Sequence, residues 1–120
     1  MKTENNRRTG REKERLAAQF LERKGYVIIQ KNFRCRSGEI DIIAREGKYL
    51  VFAEVKYRGG SKCGYPEEAV DYRKQKQISK VALYYLKRKR YRLEQPCRFD
   101  VVAIVPHEIR LYRNAFEFRG

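Results

Sequence analysis

The chain has 120 residues, of which 42% are hydrophobic, and its 29 lysines and arginines against 15 acidic residues give a net charge of +14. This length predicts one globular domain over the whole chain, with a short basic extension at about residues 1–8. No apolar run approaches the roughly 20 residues that span a bilayer, and the N-terminus lacks the apolar segment of a signal peptide, so we expect a cytoplasmic protein with no membrane partner.

The first predicted element is a helix over residues 9–24. Thr9 and Glu12 match a capping box at its start, and apolar residues then recur at helical spacing. Gly25 supplies a stop signal at the C-terminal end.

Three strands are predicted next. The stretch "YVIIQ" forms the first, and residues 32–36 continue it in extended form to a turn at Ser37 and Gly38. The turn "REGK" joins the second strand, "EIDIIA", to the third, "YLVFAEVKY", as a hairpin. Regular alternation in the second strand predicts two faces, one with Ile40, Ile42 and Ala44 and the other with Glu39, Asp41 and Ile43.

A second long helix is predicted after Asp71, which can act as its N-cap. Its apolar stripe consists of Ile78, Val81, Ala82, Tyr85 and Leu86. The segment "RFDVVAIV" then predicts a strand buried on both faces past Asp100, and "EIRLYR" predicts an edge strand. The order α-β-β-β-α-β-β predicts an α/β fold in which helices flank a mixed sheet.

The two apolar strands of the hairpin carry charged residues that need an explanation. In the third strand Glu54 and Lys56 share a face, and the hairpin can place Asp41 beside Glu54. Two adjacent carboxylates repel each other, and a divalent cation between them relieves that repulsion. The set therefore indicates a metal-dependent phosphodiesterase site, while the structural alternative is an ordinary ion pair of Glu54 with Lys56 and an arginine partner for Asp41.

The cysteines and the histidine narrow the choice of metal. Cys35, Cys63 and Cys97 are widely spaced and form no CxxC pair, and His107 is the only histidine. This pattern argues against a zinc site and gives no support to a disulfide framework, and we interpret His107 as a surface loop residue. A metal would have mostly oxygen ligands, which favours Mg²⁺ or Mn²⁺.

The excess of positive charge favours a polyanionic partner, and nucleic acid is the usual one. Alternatives are a charge that serves only solubility, or RNA binding without chemistry. Basic residues cluster in "RRTGREKER", "YRKQKQISK" and "LKRKRYR". We expect contacts with nucleic acid from Arg11, Arg58, Lys62, Arg73, Lys74 and Lys76.

The sequence also resembles a known family. The segments "TGREKERLA", "GEIDIIA", "LVFAEVKYR", "AVDYRKQKQI" and "CRFDVVAIV" are similar to the YraN-like family, and the likeness covers nearly the full chain. That family belongs to the restriction-endonuclease-like, or PD-(D/E)XK, nuclease superfamily and is related to archaeal Holliday-junction resolvases. The resemblance implies a restriction-endonuclease-like core, DNA rather than RNA as the partner, and a homodimer.

The resemblance also implies roles for individual residues. Asp41 and Glu54, with the backbone carbonyl of Val55, would bind the metal, and Lys56 would be the lysine of the (D/E)xK element. Glu14, on the first helix, would approach the metal, and its alternative is a solvated acid on the helix surface. Lys13 stands where the family usually has a glycine. Glu39 would flank the site. Lys74 and Gln75 open the second helix, where superfamily members often place a residue that helps to position water or phosphate, and the alternative is a polar turn that faces nucleic acid or solvent. Asp100 is expected to be a buried partner of an arginine such as Arg98 or Arg34.

The function expected from these observations is metal-dependent, in-line hydrolysis of phosphodiester bonds in DNA, branched DNA included. The first alternative is a nucleic-acid-binding protein that retains the nuclease fold without catalysis. A second is a protein-interaction module that uses its basic surface on an acidic partner.

Overall fold

The computed structural model describes the backbone of residues 2–57 and 70–120, and the side chains of residues 10–57 and 70–120. Two of the predicted nucleic-acid contacts, Arg58 and Lys62, lie outside the described residues. In chain order the elements are α1 (Lys2–Arg23), β1 (Val27–Cys35), β2 (Gly38–Glu46), β3 (Tyr49–Tyr57), α2 (Tyr72–Arg88), β4 (Cys97–Val105) and β5 (Glu108–Phe116).

Helix α1 ends as predicted but begins earlier. At its C-terminal end the N–H of Tyr26 donates to the carbonyl of Leu21, and Gly25 has φ +98°, so the helix closes in a Schellman motif. Its first residue is Lys2, which places Thr9 inside the helix. The predicted capping box is therefore wrong, because residues 2–9 contain no proline or glycine that would stop the helix from extending.

Helix α2 begins where the sequence predicts. The Asp71 carboxylate accepts a hydrogen bond from the backbone N–H of Lys74 at 2.8 Å, as expected of an N-cap. Within the predicted stripe Ile78, Val81, Ala82 and Tyr85 are buried, and Leu86 packs against them while partly buried. Gln75 and Ser79 are also buried, which the apolar pattern did not predict.

The described strands form one five-stranded mixed sheet in the order β1-β2-β3-β4-β5. All neighbours are antiparallel except β3 and β4, which are parallel and whose connection includes α2. Strand β5 lies at an edge, as predicted, and Asp100 and the β4 residues after it are buried. The α/β class and the mixed sheet are therefore confirmed.

Each face of the sheet has its own core. On one face Leu50 and Phe52 of β3 pack with Ile78 and Tyr85 of α2. On the other face Val51 and Ala53 of β3 pack with Ala17 and Leu21 of α1, among others. The two helices therefore cover opposite faces, and the sheet separates them.

The predicted alternation of β2 breaks at Asp41. Ile42 and Ala44 belong to the α1 core, but Ile40 belongs to the α2 core together with Ile43. The prediction that Ile40 shares a face with Ile42 is thus wrong. The physical reason lies in the neighbouring strand, where Asn32 has φ +56° and interrupts the regular pleat between the pairs Lys31↔Ile42 and Phe33↔Ile40.

Asp100, which lies opposite Ala53 in the parallel ladder of β3 and β4, is fully buried in a polar network. Its carboxylate accepts two hydrogen bonds from Arg98, both 2.9 Å long, and one of 2.7 Å from the Tyr26 hydroxyl. Arg98 also donates to Glu46 at 2.6 Å. The prediction that Asp100 is a buried partner of Arg98 is confirmed, and burial together with the Asp100 hydrogen bond raises the pKa of Tyr26 to about 12.

His107 is exposed in the turn between β4 and β5, as predicted. Among the described residues, no helix has the length and apolar character needed to cross a membrane.

Candidate functional site

The candidate site lies where the sheet splits between β2 and β3. These strands pair from Glu46↔Tyr49 to Ile42↔Ala53 and no farther. Beyond that point β2 stays paired with β1 as far as Cys35↔Gly38, and β3 stays paired with β4 as far as Tyr57↔Ile104. The resulting fork begins at Asp41 on β2 and Glu54 on β3, which we call the acid pair.

A backbone hydrogen bond holds one member of the acid pair in the fork. The Asp41 carboxylate accepts from the N–H of Val55 at 2.8 Å, in place of the ladder bond that the separated strands no longer make. In an extended strand the N–H and C=O of one residue point toward the same neighbouring strand, so the Val55 carbonyl is also directed to the Asp41 side. The structure thus brings together three of the residues that the sequence analysis grouped.

The electrostatics of the acid pair are unfavourable without a counter-charge. Burial, then the adjacent Glu54 carboxylate, raise the pKa of Asp41 to about 8. Glu54 itself is 6% exposed, and the two carboxyl groups lie within reach of a shared proton. A proton or a cation between them would relieve the repulsion.

Two lysines approach Glu54 from different elements. Lys56, which follows on the same face of β3, has its Nζ 3.9 Å from Glu54 Oε2, and the Nζ of Lys74 in the first turn of α2 lies 3.6 Å from the same oxygen. The predicted neighbourhood of Glu54 and Lys56 is confirmed. The contact of Lys74 with Glu54 was not predicted, since the alternatives for that lysine were positioning of water or phosphate and a polar turn that faces nucleic acid or solvent.

Glu14 of α1 reaches the α1 side of the acid pair. Burial and then the charge of Asp41 raise the pKa of Glu14, while a hydrogen bond from the Asn32 side chain lowers it. Lys13, next to Glu14, has its ammonium over the ring of Tyr57 at the end of β3. The helix therefore approaches the sheet here although a lysine replaces the glycine that the resemblance implies.

Glu39 and Arg34 form an ion pair on the hairpin of β1 and β2 beside Glu14. They line a cleft of about 510 Å³ between α1 and this hairpin. Its lining residues are Gly10, Arg11, Glu14, Asn32, Arg34 and Glu39. Arg11, one of the predicted nucleic-acid contacts, thus lies at the edge of the candidate site.

A second cleft, of about 500 Å³, lies on the face of the sheet that α2 covers, and we call it the helix cleft. It is lined by Ser37, Tyr72, Arg73, Lys76, Gln77 and Lys80. Gln77 packs on Gly38, where an added Cβ would come 2.7 Å from the Gln77 amide nitrogen, so the start of β2 is held close to α2. Arg73 and Lys76, two predicted nucleic-acid contacts, therefore border the same hairpin.

Gln75 does not join the acid pair. Its amide nitrogen donates to the Val70 carbonyl at 2.8 Å, and its amide oxygen accepts from Arg119 at 3.1 Å. These bonds explain why a polar residue is buried here. They also make Gln75 an anchor for the C-terminal segment.

The donor set of the fork fits Mg²⁺ or Mn²⁺ better than a softer metal, because it consists of carboxylate oxygens from Asp41 and Glu54. In the part of the chain that the structure describes, no group of three or more His, Cys, Asp and Glu side chains is arranged to hold a metal ion. An ion here would have two carboxylates from the protein. Mg²⁺ commonly binds through one or two carboxylates and keeps waters or phosphate oxygens as its other ligands.

Two features of the site were not predicted from the sequence. They are the position of Asn32 beside Glu14 and the contact of Lys74 with Glu54. A signal existed for Asn32, since Asn is enriched among residues with positive φ and stands here inside a strand-forming stretch. No local signal exists for Lys74, since its contact depends on how α2 packs against β3.

Comparisons with known proteins place the chain in a family. The model of "Uncharacterised protein family UPF0102" matches residues 13–104, which include Glu14, the acid pair, Lys56 and Lys74. A UPF0102 protein of Lachnoclostridium phytofermentans is 51% identical over 116 residues, covering 97% of this chain and 98% of the relative. UPF0102 proteins of Geotalea uraniireducens (46% identical, covering 93% and 91%) and Geobacter sulfurreducens (53% identical, covering 87% and 84%) are similar. The chain belongs to the UPF0102 family.

Proposed function

We propose that this protein is a metal-dependent nuclease that hydrolyses phosphodiester bonds in DNA, branched DNA included, on a restriction-endonuclease-like core. The observation that carries the proposal is the fork itself, in which the acid pair faces Lys56 and Lys74. An ordinary structural ion pair of Glu54 with a lysine would not need a second carboxylate beside it in a buried position, where burial and then Glu54 raise the pKa of Asp41 to about 8.

Asp41, Glu54 and the carbonyl of Val55 would hold Mg²⁺ or Mn²⁺. When bound, such an ion polarises a phosphate oxygen and lowers the pKa of the attacking water. The hydrogen bond from Val55 N–H fixes the orientation of the Asp41 carboxylate before any ion arrives.

Lys56 and Lys74 would act on the phosphate and on the water. An ammonium group offers three donors on a flexible stem, so it can orient a water molecule and offset negative charge that develops on phosphate oxygens. Both lysine side chains are about one-third exposed, which leaves them accessible to a substrate. Glu14, beside Asp41, would receive or direct a water at the α1 side.

The charge distribution supports nucleic acid as the substrate. The chain has a net charge of +14, and Arg11, Arg73 and Lys76 border the two clefts beside the fork. Cations in such positions would contact phosphates on both sides of the scissile bond.

The test is a cleavage panel of four-way junction, flap, duplex and single-stranded DNA, with Mg²⁺, Mn²⁺ or EDTA. We expect cleavage that requires the metal. Asp41→Asn and Glu54→Gln should each lower the rate by more than about 1000-fold, because a metal contributes several kcal/mol to the transition state. Lys56→Gln should lower it by about 100- to 1000-fold, the effect of removing one preorganised charge.

The matched control is Glu108→Gln, which removes an exposed carboxylate on β5 that pairs with Arg110. It should cleave like the wild type. Binding of these substrates without cleavage under every metal condition would overturn the nuclease proposal and favour the non-catalytic nucleic-acid-binding alternative. Cleavage that persists in Asp41→Asn and Glu54→Gln would show that a contaminating enzyme or another site is responsible.

A further inference from the structure

Tyr72 is an exposed aromatic residue in the helix cleft. It is the first residue of α2 and is 60% exposed, although a tyrosine ring is usually at least partly packed. The Nζ of Lys76 lies 5.7 Å from the ring centroid, and the guanidinium carbon of Arg119 lies 5.6 Å from it. Both distances are within the range of cation–π contacts, and Tyr72 nevertheless stays 60% exposed.

Within the described part of the chain, no acidic side chain forms an ion pair with the cations around Tyr72. Arg73, Lys76 and Lys80 form no ion pair within residues 10–57 and 70–120. The first turn of α2 has no acidic residue. The helix cleft thus combines an open aromatic ring with unneutralised positive charge.

Arg119 is held in its position beside the ring. Its backbone N–H donates to the Ser79 hydroxyl at 2.9 Å, and its Nε donates to the buried Gln75. Gln75 in turn is fixed by its bond to the Val70 carbonyl. These bonds therefore hold the Arg119 guanidinium near the Tyr72 ring.

Tyr72 is also close in sequence to Lys74, a residue that contacts the fork. Tyr72 and Lys74 belong to the same first turn of α2, and Lys74 contacts Glu54. Residues two apart in a helix point to different sides, so a strand with a phosphate at Lys74 would continue around this turn of α2 to reach Tyr72. Base stacking on an aromatic ring combined with cations along the backbone is how proteins bind single-stranded nucleic acid.

We infer that the helix cleft binds a single-stranded segment of nucleic acid, with an unpaired base stacked on Tyr72 and its phosphates on Arg73, Lys76 and Arg119. This rests on the proposed function and adds the substrate class, which is DNA with a single-stranded portion beside the scissile bond. A base inside a continuous duplex has no free face to place on the ring. Continuous duplex would therefore use the cations but not Tyr72.

The experiment measures binding in EDTA by fluorescence anisotropy, using an oligothymidylate of about 12 nucleotides. The comparison ligands are an abasic strand of the same length and a continuous duplex. Tyr72→Ala should weaken binding of the oligothymidylate by roughly 5- to 100-fold, the range expected for losing one base stack. The affinity of Tyr72→Ala for the abasic strand and for the duplex should equal that of the wild type. Tyr72→Phe should bind all three ligands like the wild type.

The matched control is Tyr84→Ala, which removes another partly exposed tyrosine of α2. Tyr84 lies 12 residues along the helix from Tyr72, which corresponds to about 18 Å at the rise of an α-helix. This variant should keep the affinity for the single strand. An equal loss in Tyr84→Ala, an equal loss of duplex binding in Tyr72→Ala, or a Tyr72→Phe as weak as Tyr72→Ala would each overturn the inference.

Binding in EDTA separates this inference from the proposed activity. If no substrate is cleaved but the stacking pattern holds, the nuclease proposal fails and the binding site stands. If DNA is cleaved but Tyr72→Ala binds single strands like the wild type, the inference fails and the nuclease stands.

Discussion

The Asp41 carboxylate accepts a hydrogen bond from the N–H of Val55 at the point where β2 and β3 stop pairing. Asparagine can make the same bond through its side-chain oxygen but carries no charge. We therefore expect Asp41→Asn to keep the fold and, without metal, to equal or exceed the wild type in stability, because it removes the repulsion with Glu54.

The difference in stability between Asp41→Asn and the wild type should depend on pH. In the unfolded chain the pKa of an aspartate is about 3.9, whereas in the folded protein the pKa of Asp41 is raised to about 8. Between these values the folded state holds a proton that the unfolded state has released, so the wild type loses stability as pH rises from about 4 to about 8. Asp41→Asn lacks this loss, and urea titrations in EDTA across that range should show its advantage growing with pH.

Glu108→Gln serves as the control for this titration. Its hydrogen bond and ion pair with Arg110 lower the pKa of Glu108 from its ordinary value. The control should run parallel to the wild type above pH 5, which exceeds the ordinary glutamate pKa of about 4.3. An Asp41→Asn curve that is also parallel to the wild type would contradict the raised pKa.

Lys74 is predicted to oppose metal binding while it assists the chemistry. Its ammonium lies 3.6 Å from the Glu54 carboxylate and would repel a divalent cation held there. Lys74→Gln should therefore bind Mn²⁺ about tenfold more tightly by calorimetry, as expected for a charge several ångströms away in a hydrated site, but cleave DNA more slowly. Lys87→Gln, in the last turn of α2, is the control. Weaker Mn²⁺ binding by Lys74→Gln would instead make the Lys74–Glu54 pair structural.

Asn32 is predicted to matter through its backbone as well as its amide. At φ +56° a residue with a Cβ is strained by roughly 1–2 kcal/mol, and glycine is not. Asn32→Gly should therefore be more stable than Asn32→Ala, although alanine is usually the better tolerated replacement. Both variants lose the hydrogen bond that lowers the pKa of Glu14, so carbon-13 NMR should find that pKa raised in both. An alanine variant as stable as the glycine variant would contradict the backbone role.

The hydrogen-bonded network around Asp100 should contribute strongly to the free energy of unfolding. In Asp100→Asn the largely buried Arg98 keeps its hydrogen bond to Glu46 but loses its ion pair with the Asp100 carboxylate. We expect the free energy of unfolding to fall by about 3 kcal/mol, which is typical when one partner of a buried pair is removed. Urea denaturation measures the loss, with Glu108→Gln again as the exposed control. A loss below about 1 kcal/mol, the usual value of an exposed pair, would contradict this role.

Much of the fold follows from signals that are local in the chain. The order of helices and strands, the cap at Asp71 and the stop at Gly25 depend on residues within a few positions of each other, and all of them are confirmed. The neighbourhood of Asp41 and Glu54 also followed, since a two-residue hairpin turn between β2 and β3 sets which residues lie opposite each other.

The features that the sequence alone did not determine have two causes, an ambiguous local pattern and contacts between distant segments. The start of α1 at Lys2 was missed because the pattern at Thr9 is compatible with either a cap or a helix interior. The break in alternation at Asp41 arises because Asn32, nine residues earlier, changes the pleat of the neighbouring strand. The contact of Lys74 with Glu54 exists only because α2 packs its first turn against the end of β3, 20 residues away in sequence. Periodicity specifies which side of an element is buried, but tertiary packing decides which charged groups meet, because a long side chain such as lysine can reach a partner on another element as easily as solvent.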